Sequence, residues 1–381
     1  MIDKIYLDNA ATTVVSEEVV DAMMPYFTDI YGNPGSIHSI GAQARKAVDD
    51  ARETVAGFMG CDPENIIFTS GGSEANSIMI RGFKGSGRKI YSAVEHPSVI
   101  KSMRDLWHSV CWPVNPNGTI DLTGLSETLA EDDVDFLAVM TANNEVGAIN
   151  DIKYLSDLCK DKGVWLHTDC VQAAGCVGLD AKQTDVDSMS ISSHKIHGPK
   201  GVGALYVKDF SMINTFTYGG QEHNIRGGTE NVPGIIGFAK ACEICQRDFD
   251  YTLHKILSRK NMMVDRLTRL ADINGIQDRL KFNGDIENSS KVVNFRIDGV
   301  DGQTLLMMMD ALGVMASAGS ACTSREMHPS HVLKAIGLTA EQAYNSVRIS
   351  FSRYNTNEEV DRAANIIINS AVHLLNMKKE V

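Results

Sequence analysis

The 381-residue chain lacks any apolar run near the roughly 18 residues that span a bilayer. Its opening, Met1-Ile2-Asp3-Lys4-Ile5-Tyr6-Leu7-Asp8, lacks the basic and then apolar blocks of a secretory leader. The expected location is therefore the cytoplasm. Basic residues are in deficit: 36 Lys and Arg face 48 Asp and Glu, a net charge of −12. Such a surface repels phosphate backbones and anionic lipid, so neither nucleic acid nor a membrane is an expected direct partner. Cysteine is sparse: eight residues (61, 111, 159, 170, 176, 242, 245 and 322) are scattered over a long chain, too thin for a disulfide scaffold. The single C-x-x-C, Cys242 to Cys245, has no second pair to complete a zinc site, which makes it helix packing; no metal is expected. Internal repeats and low-complexity tracts are also missing. What remains, 43% apolar and 22% charged residues, is the composition of an ordinary globular protein of two or three folding units.

Between residues 60 and 210, short β-rich runs alternate with helical stretches. The expected strands are 66–69, 89–94, 135–141, 164–168, 187–192 and 203–207, several of them apolar almost throughout. That pattern describes a mostly parallel sheet covered by helices on both faces. The run Gly227-Gly-Thr-Glu-Asn-Val-Pro233 marks a change. Beyond it come one or two long helices over 234–272, then strand 292–297, helix 304–312, strand 314–318, helix 329–336, strand 347–351 and a last helix, 357–377. The fold class is α/β, with a large domain over 16–245 and a smaller one built from 1–15 and 246–381.

Ligands of such sheets bind at the carboxyl ends of the strands. Strand 66–69 runs through Ser70 into Gly71-Gly-Ser-Glu-Ala-Asn76 and a helix, an arrangement that suits a single small phosphate or is simply a βα turn. Strand 164–168 ends at Asp169, with Gln172 three residues on, and strand 187–192 ends at Ser193-His194-Lys195. An Asp and a Lys closing successive parallel strands share one crevice. Pyridoxal phosphate requires that combination: a lysine for the Schiff base, a carboxylate for the pyridine nitrogen and a helix terminus for the phosphate. His96, fixed by Pro97, is either a turn histidine or a proton carrier in the same crevice.

These residues belong to longer matching blocks. Tyr6-Leu-Asp-Asn-Ala-Ala-Thr-Thr13, Gly32-Asn-Pro34, Ser73-Glu-Ala-Asn76, Glu95-His96, Asn143-Asn-Glu-Val-Gly147, Asp169-x-x-Gln172, Ser193-His-Lys-Ile-His-Gly-Pro-Lys-Gly201, Arg226-Gly-Gly-Thr229, Gly319-Ser-Ala-Cys-Thr-Ser324 and Ser346-Val-Arg348 occur in that order. Together they resemble a cysteine desulfurase, a class V aminotransferase-type enzyme of the fold-type I pyridoxal phosphate group. The resemblance covers essentially the whole chain. It implies pyridoxal 5′-phosphate as cofactor, with Lys195 as its covalent lysine, Asp169 as partner of the ring nitrogen and Gln172 on the ring hydroxyl. His96 would stack on the ring and move protons. Gly72, Ser73, Ser192 and His194 would hold the phosphate, with Thr229 donated by the second subunit of a homodimer. Asn144 and Arg348 would grip the substrate carboxylate, a task that suits a guanidinium fork in its own right.

Cys322 sits among Gly, Ser and charged neighbours, the setting of an exposed, reactive thiol in a mobile loop. The resemblance makes it the carrier of a persulfide taken from L-cysteine, which leaves as L-alanine. The acceptor would be an iron–sulfur scaffold or a tRNA-thiolation protein. The charged run Arg325-Glu-Met-His328 departs from the family pattern at the point where an acceptor is recognised. Cys170 stands where a small residue is expected and would pack behind the ring. The rival readings are a transaminase, a selenocysteine lyase and a catalytically silent sulfur-relay platform.

Overall fold

A computed structural model describes residues 4–106, 108–318 and 329–377. The strands, in chain order, are β1 (Ile5–Tyr6), β2 (Ile66–Thr69), β3 (Arg88–Ser92), β4 (Ser109–Trp112), β5 (Val134–Ala138), β6 (Trp165–Asp169), β7 (Ser188–Ser192), β8 (Gly203–Val207), β9 (Leu280–Phe282), β10 (Val292–Ile297), β11 (Val314–Met315), β12 (Ser317–Ala318) and β13 (Ser346–Ser350). Seven of them form one sheet in the order β2-β8-β7-β6-β5-β3-β4. Only β8 runs against its neighbours, β2 and β7. The sheet is therefore mostly parallel, and β2, β7 and β8 are buried along their whole length. Burial on both faces explains why these runs read as continuous apolar or small-residue segments rather than alternating ones.

Helices cover both faces. Ser39–Met59 and Val232–Arg247 contribute Val48, Val55, Ile235 and Phe238 to the core on one side. Gly72–Gly82 and Pro97–Arg104 contribute Ile78, Met79, Val99 and Met103 on the other. A second core forms around the antiparallel sheet β12-β13-β10-β9 and the helices Phe249–Ile273 and Asn357–Met377. Ile5 and Leu7, from the start of the chain, are buried in this second core. β1 pairs in parallel with β11, and Asn9 Nδ2 donates to the Ser350 carbonyl at 2.9 Å.

The expected strands are present, with ends displaced by at most a few residues, and three short ones (β1, β4 and β9) join them. One expectation needs correction. Residues 314–318 form two strands instead of one: Val314–Met315 pairs with β1, while Ser317–Ala318 pairs with β13. The chain changes sheets at Ala316, a switch that local pattern cannot reveal because its cause is the distant amino-terminal strand. The helical stretch after residue 231 is likewise two helices, divided at Asp248, whose carboxylate is bound by Arg247 and Arg353. Among the described residues no helix is long and apolar enough to cross a membrane.

Candidate active site

The parallel strands deliver their polar ends to one crevice. Asp169 is the last residue of β6, and Lys195 lies in the 3-10 turn Ser193–Lys195 that follows β7, its immediate neighbour. Asp169 is 4% exposed, and both its oxygens are engaged. Oδ1 accepts from the Val171 N–H at 2.9 Å and Oδ2 from Asn76 Nδ2 at 2.7 Å. Asn76 is itself held on its other side, where Oδ1 meets Ser190 Oγ at 2.5 Å and His167 Nε2 at 3.0 Å. Burial lowers the His167 pKa to about 3, so the ring is neutral and serves as a fixed strut.

Lys195 Nζ donates to the Ala10 and Ala11 carbonyls, each at 2.7 Å. Burial first, then the charges of Lys291 and Arg348, bring its pKa down to about 7; Asp169 and Asp8 oppose them. A lysine in this state presents a free amine near neutral pH, the form that attacks an aldehyde or takes a proton. Gln172 Nε2 also donates to the Ala10 carbonyl at 2.8 Å, while its Oε1 is buried and has no partner among the described residues. His96 caps helix Pro97–Arg104: its Nδ1 accepts from the Ser98 N–H at 3.2 Å. Nδ1 also lies 2.8 Å from Ser98 Oγ, and in the tautomer whose Nδ1–H donates to that hydroxyl, Nε2 is free to accept a proton. Burial foremost lowers its pKa; Asp169 opposes, while Lys195 and His331 add to the lowering. Asn76 Nδ2 lies 3.0 Å from Ser98 Oγ, so one amide ties the Asp169 carboxylate to the histidine's cap.

At the near end of this crevice, helix Gly72–Gly82 begins without a side-chain cap. Its N-cap, Gly71, has φ +149°, a conformation that L side chains rarely adopt. A Cβ on Gly72 would meet Val171 Cγ2 at 2.4 Å. Thr12, Ser73, Ser192, His194 and Lys200 line the hollow in front of that terminus. It is a cradle for a small anion: a helix amino terminus, hydroxyls and a lysine around an open space. Arg348, in β13, is 4% exposed. Its Nη1 donates to the Asn144 carbonyl at 2.9 Å, its Nη2 pairs with Asp8 at 2.7 Å, and its Nε is buried with no partner among the described residues. Asn144 and Arg348 are thus adjacent. Thr229 is exposed and does not line the cradle of its own chain. Cys322 lies outside the described residues.

Residues 5–363 match the family described as aminotransferase class-V. The chain belongs to this family. The cysteine desulfurase IscS of Methanosarcina thermophila is 36% identical to it over 98% of this chain and 93% of its own length. A solved NifS-like protein superposes with a TM-score of 0.88 at 30% identity, covering 97% of this chain and all of the other. A structure described as SspA in complex with cysteine superposes at 0.75 with 27% identity, covering 92% of this chain and 99% of the other. This class V chain therefore has cysteine desulfurases among its relatives along almost its full length.

Some site residues were not singled out by sequence reasoning. Asn76 stood inside a quoted block without a role; its position in the second turn of the helix after the glycine turn was the available signal. Glu95 was hidden by its neighbour His96. Its Oε1 accepts from Ser92 Oγ at 2.6 Å and from the Met140 N–H at 2.7 Å, while Oε2 is buried with no partner among the described residues. Burial pushes its carboxyl up to about 8; the two hydrogen bonds oppose this and the Asp169 charge adds a little. A carboxyl that is protonated at pH 7 only when folded contributes stability that is complete below its unfolded value of 4.5 and is lost as pH rises through 8. Glu95→Gln should flatten this fall, which has a slope of up to about 1.4 kcal/mol per pH unit. Denaturant titrations of both proteins at pH 5 and pH 8 would show it; an unchanged difference between the two pH values would refute it.

Cys170 is buried, with Sγ 3.1 Å from Thr141 Oγ1, and burial pushes its thiol up to about 12 despite its hydrogen bonds with Thr141 and Thr168. Thiolate chemistry at neutral pH is closed to it. Cys242 is fully buried within helix Val232–Arg247.

Proposed function

We propose that the chain converts L-cysteine to L-alanine and takes the sulfur as a persulfide on Cys322, with pyridoxal 5′-phosphate as cofactor. The observation that carries this reading is the convergence of Lys195, Asp169 and Gln172 beside an uncapped helix terminus, each with chemistry that the cofactor needs. The residues fit the group. Gly72, Ser73, Ser192 and His194 would hold its phosphate, Asp169 its ring nitrogen, Gln172 its hydroxyl and Lys195 its aldehyde carbon. When bound, it acts as an electron sink for the pair left at Cα when a proton departs. Lys195 Nζ, free of its proton near pH 7, is the base positioned to remove that proton. His96 Nε2 is the candidate carrier for the proton of the attacking thiol. The Cys322 thiolate forms a bond to the substrate sulfur as the carbon–sulfur bond breaks, and the carbon fragment leaves as alanine after protonation.

Arg348 and Asn144 are assigned the substrate carboxylate. Asp8 occupies the fork with one oxygen, and the unpartnered Nε leaves a further donor. Arg348→Lys should raise KM for L-cysteine by about 10- to 100-fold, the worth of one charged hydrogen bond, with a smaller change in kcat. Initial rates over a range of cysteine concentrations would separate the two effects.

Two apolar clusters, one spanning Val19 to Ile244 and the other Ile5, Leu7 and Ile256 to Ala371, support a division into domains 16–245 and 1–15 with 246–381. A homodimer is supported by exposed Thr229 and by exposed apolar side chains at Phe27, Tyr31, Ile37 and Tyr218. The sulfur acceptor is assigned to the iron–sulfur scaffold or tRNA-thiolation class, and the compartment to the cytoplasm.

The test is product analysis with L-cysteine and a thiol reductant. Alanine and sulfide should appear in equal amounts. A keto acid in place of alanine would establish the transaminase reading, and absence of visible cofactor absorption the silent-platform reading. Borohydride reduction followed by peptide mapping should mark Lys195 and leave Lys200 unmodified.

A further inference from the structure

A row of hydrogen bonds with a fixed direction runs behind the crevice and ends beside His96. It starts at Trp165, whose indole N–H can only donate and does so to Ser188 Oγ at 2.9 Å. The Ser188 hydroxyl lies 3.0 Å from His167 Nδ1. His167 is neutral at pH 7 and so carries a single ring proton. Its Nε2 faces Asn76 Oδ1 at 3.0 Å, an oxygen that can only accept. The proton is therefore on Nε2, and Nδ1 accepts from Ser188. The Asn76 amide is oriented in turn by Asp169, whose carboxylate must be met by the NH2 group. That group donates to Asp169 Oδ2 at 2.7 Å and to Ser98 Oγ at 3.0 Å. Every direction up to Ser98 is thus determined, and the Ser98 oxygen is an acceptor for Asn76. Ser188, His167 and Asn76 are at most 1% exposed, so these bonds are shielded from water.

The last link can run either way. Ser98 Oγ lies 2.8 Å from His96 Nδ1 and can offer it a proton or its second lone pair. The other group facing Nδ1 is the Ser98 backbone N–H at 3.2 Å, which only donates. A neutral ring protonated at Nε2 is served by both. A ring with a proton on Nδ1, whether neutral with Nε2 free or doubly protonated, needs an acceptor there. Among the described residues, the Ser98 hydroxyl is the acceptor that reaches it. The charged groups facing the ring do not fill this place. Asp169, at the end of β6, acts on it through charge, its two oxygens being bound by Asn76 and Val171. Lys195, after β7, and His331, at the start of helix His331–Ala335, oppose a proton on the ring.

We infer that Ser98 is a positioning residue for His96: its hydroxyl accepts the Nδ1 proton, which lets Nε2 take up a proton from the crevice and return it. One proton moves between the attacking thiol and Nε2, while Nδ1 keeps its own throughout. The Ser98 hydroxyl, on a half-buried residue, turns its proton to the open side. Without that hydroxyl, Nδ1 meets only an N–H group. The neutral ring is then confined to the form already protonated at Nε2, and the charged ring loses a charge-assisted hydrogen bond. The effect on turnover rests on the proposed role of His96 as proton carrier; the effect on the ring's own protonation does not.

The sample is the cofactor-loaded full chain carrying nitrogen-15 histidine, with the His96 signals assigned from a His96→Gln variant and followed by NMR across pH. In the wild type, the neutral His96 ring should show the nitrogen shifts of the Nδ1–H form. Ser98→Ala should show the Nε2–H form and bind a proton about tenfold more weakly, the difference between a charge-assisted and a neutral hydrogen bond. Ser98→Thr keeps the hydroxyl and should restore the wild-type titration. With L-cysteine, Ser98→Ala should lose about tenfold in kcat at unchanged KM, and Ser98→Thr should recover it. Ser98→Gly, which also lacks the hydroxyl, takes the place of Ser98→Ala if that variant fails to fold. An Nε2–H ring in the wild type overturns the inference, as does an identical titration in the wild type and the variant without the hydroxyl. A wild type with the expected shifts that releases no alanine from cysteine overturns the desulfurase reading and leaves the inference standing.

Discussion

A Cys322→Ala enzyme is expected to bind cofactor and L-cysteine like the parent and to release neither alanine nor sulfide. In the proposed reaction Lys195 would supply a base and the bound cofactor an electron sink, but neither could accept the substrate's sulfur. Without a thiolate to take it, the carbon–sulfur bond has no productive route to cleavage, and the rate should fall by about 10³-fold or more. The described residues on either side of Cys322 lie beside the site. Ser317 lies in register with Arg348, the residue assigned to the substrate carboxylate. Cys322 follows Ala318 by four residues, a tether of at most roughly 14 Å. On the far side, Ser330 Oγ donates to buried Glu145, and His331 Nε2 sits 2.9 Å from the Glu95 carbonyl. Both ends of the segment are thus attached to elements of the site. Full alanine production by the variant would leave the cofactor site intact and transfer the assignment to a lyase or transaminase.

Lys195→Ala should remove the visible absorption of the bound cofactor and lower alanine formation by about 10⁴-fold, whereas Lys200→Ala should keep most of both. The contrast follows from position. Lys195 is held within the crevice by two carbonyls, while Lys200 is exposed at the rim of the anion cradle. The lowered pKa adds a pH signature. An ordinary lysine amine gains reactivity up to its usual value near 10.5, but one held at about 7 is already mostly free above neutrality. Cofactor capture by the apo chain should therefore accelerate with pH up to about 7 and then level off. Stopped-flow mixing across pH 6 to 10 would measure it, and a rate still climbing at pH 9 would contradict the assignment.

How much of this was visible in the sequence depended on distance along the chain. The strands of the large sheet are apolar runs ended by turn residues, so each could be read from a few neighbours, and with them the shared crevice of Asp169 and Lys195. The anchors of that crevice could not. Asn76 reaches Asp169 across 93 positions, and the carbonyls that hold Lys195 come from Ala10 and Ala11, about 185 positions away. Burial was equally hidden. The sequence of Glu95 reads like that of any acidic residue, and only its burial, against the opposing hydrogen bonds of Ser92 and Met140, turns it into a carboxyl protonated at neutral pH.

The amino-terminal segment has a consequence for how the protein is made. β1 finds its partner at Val314–Met315, Asn9 is bonded to the Ser350 carbonyl, and the Ser350 N–H donates to the Leu7 carbonyl at 2.7 Å. Ala10 and Ala11, which hold Lys195 and Gln172, come directly after this anchor. On the ribosome, the residues around Asn9 must therefore wait for those around Ser350, 341 positions later, before they can dock. A nascent chain that has already assembled its seven-stranded sheet still has an unfinished site, because contacts of such long sequence separation close late. The crevice around Lys195 is complete only once both of these distant segments have been made and have met.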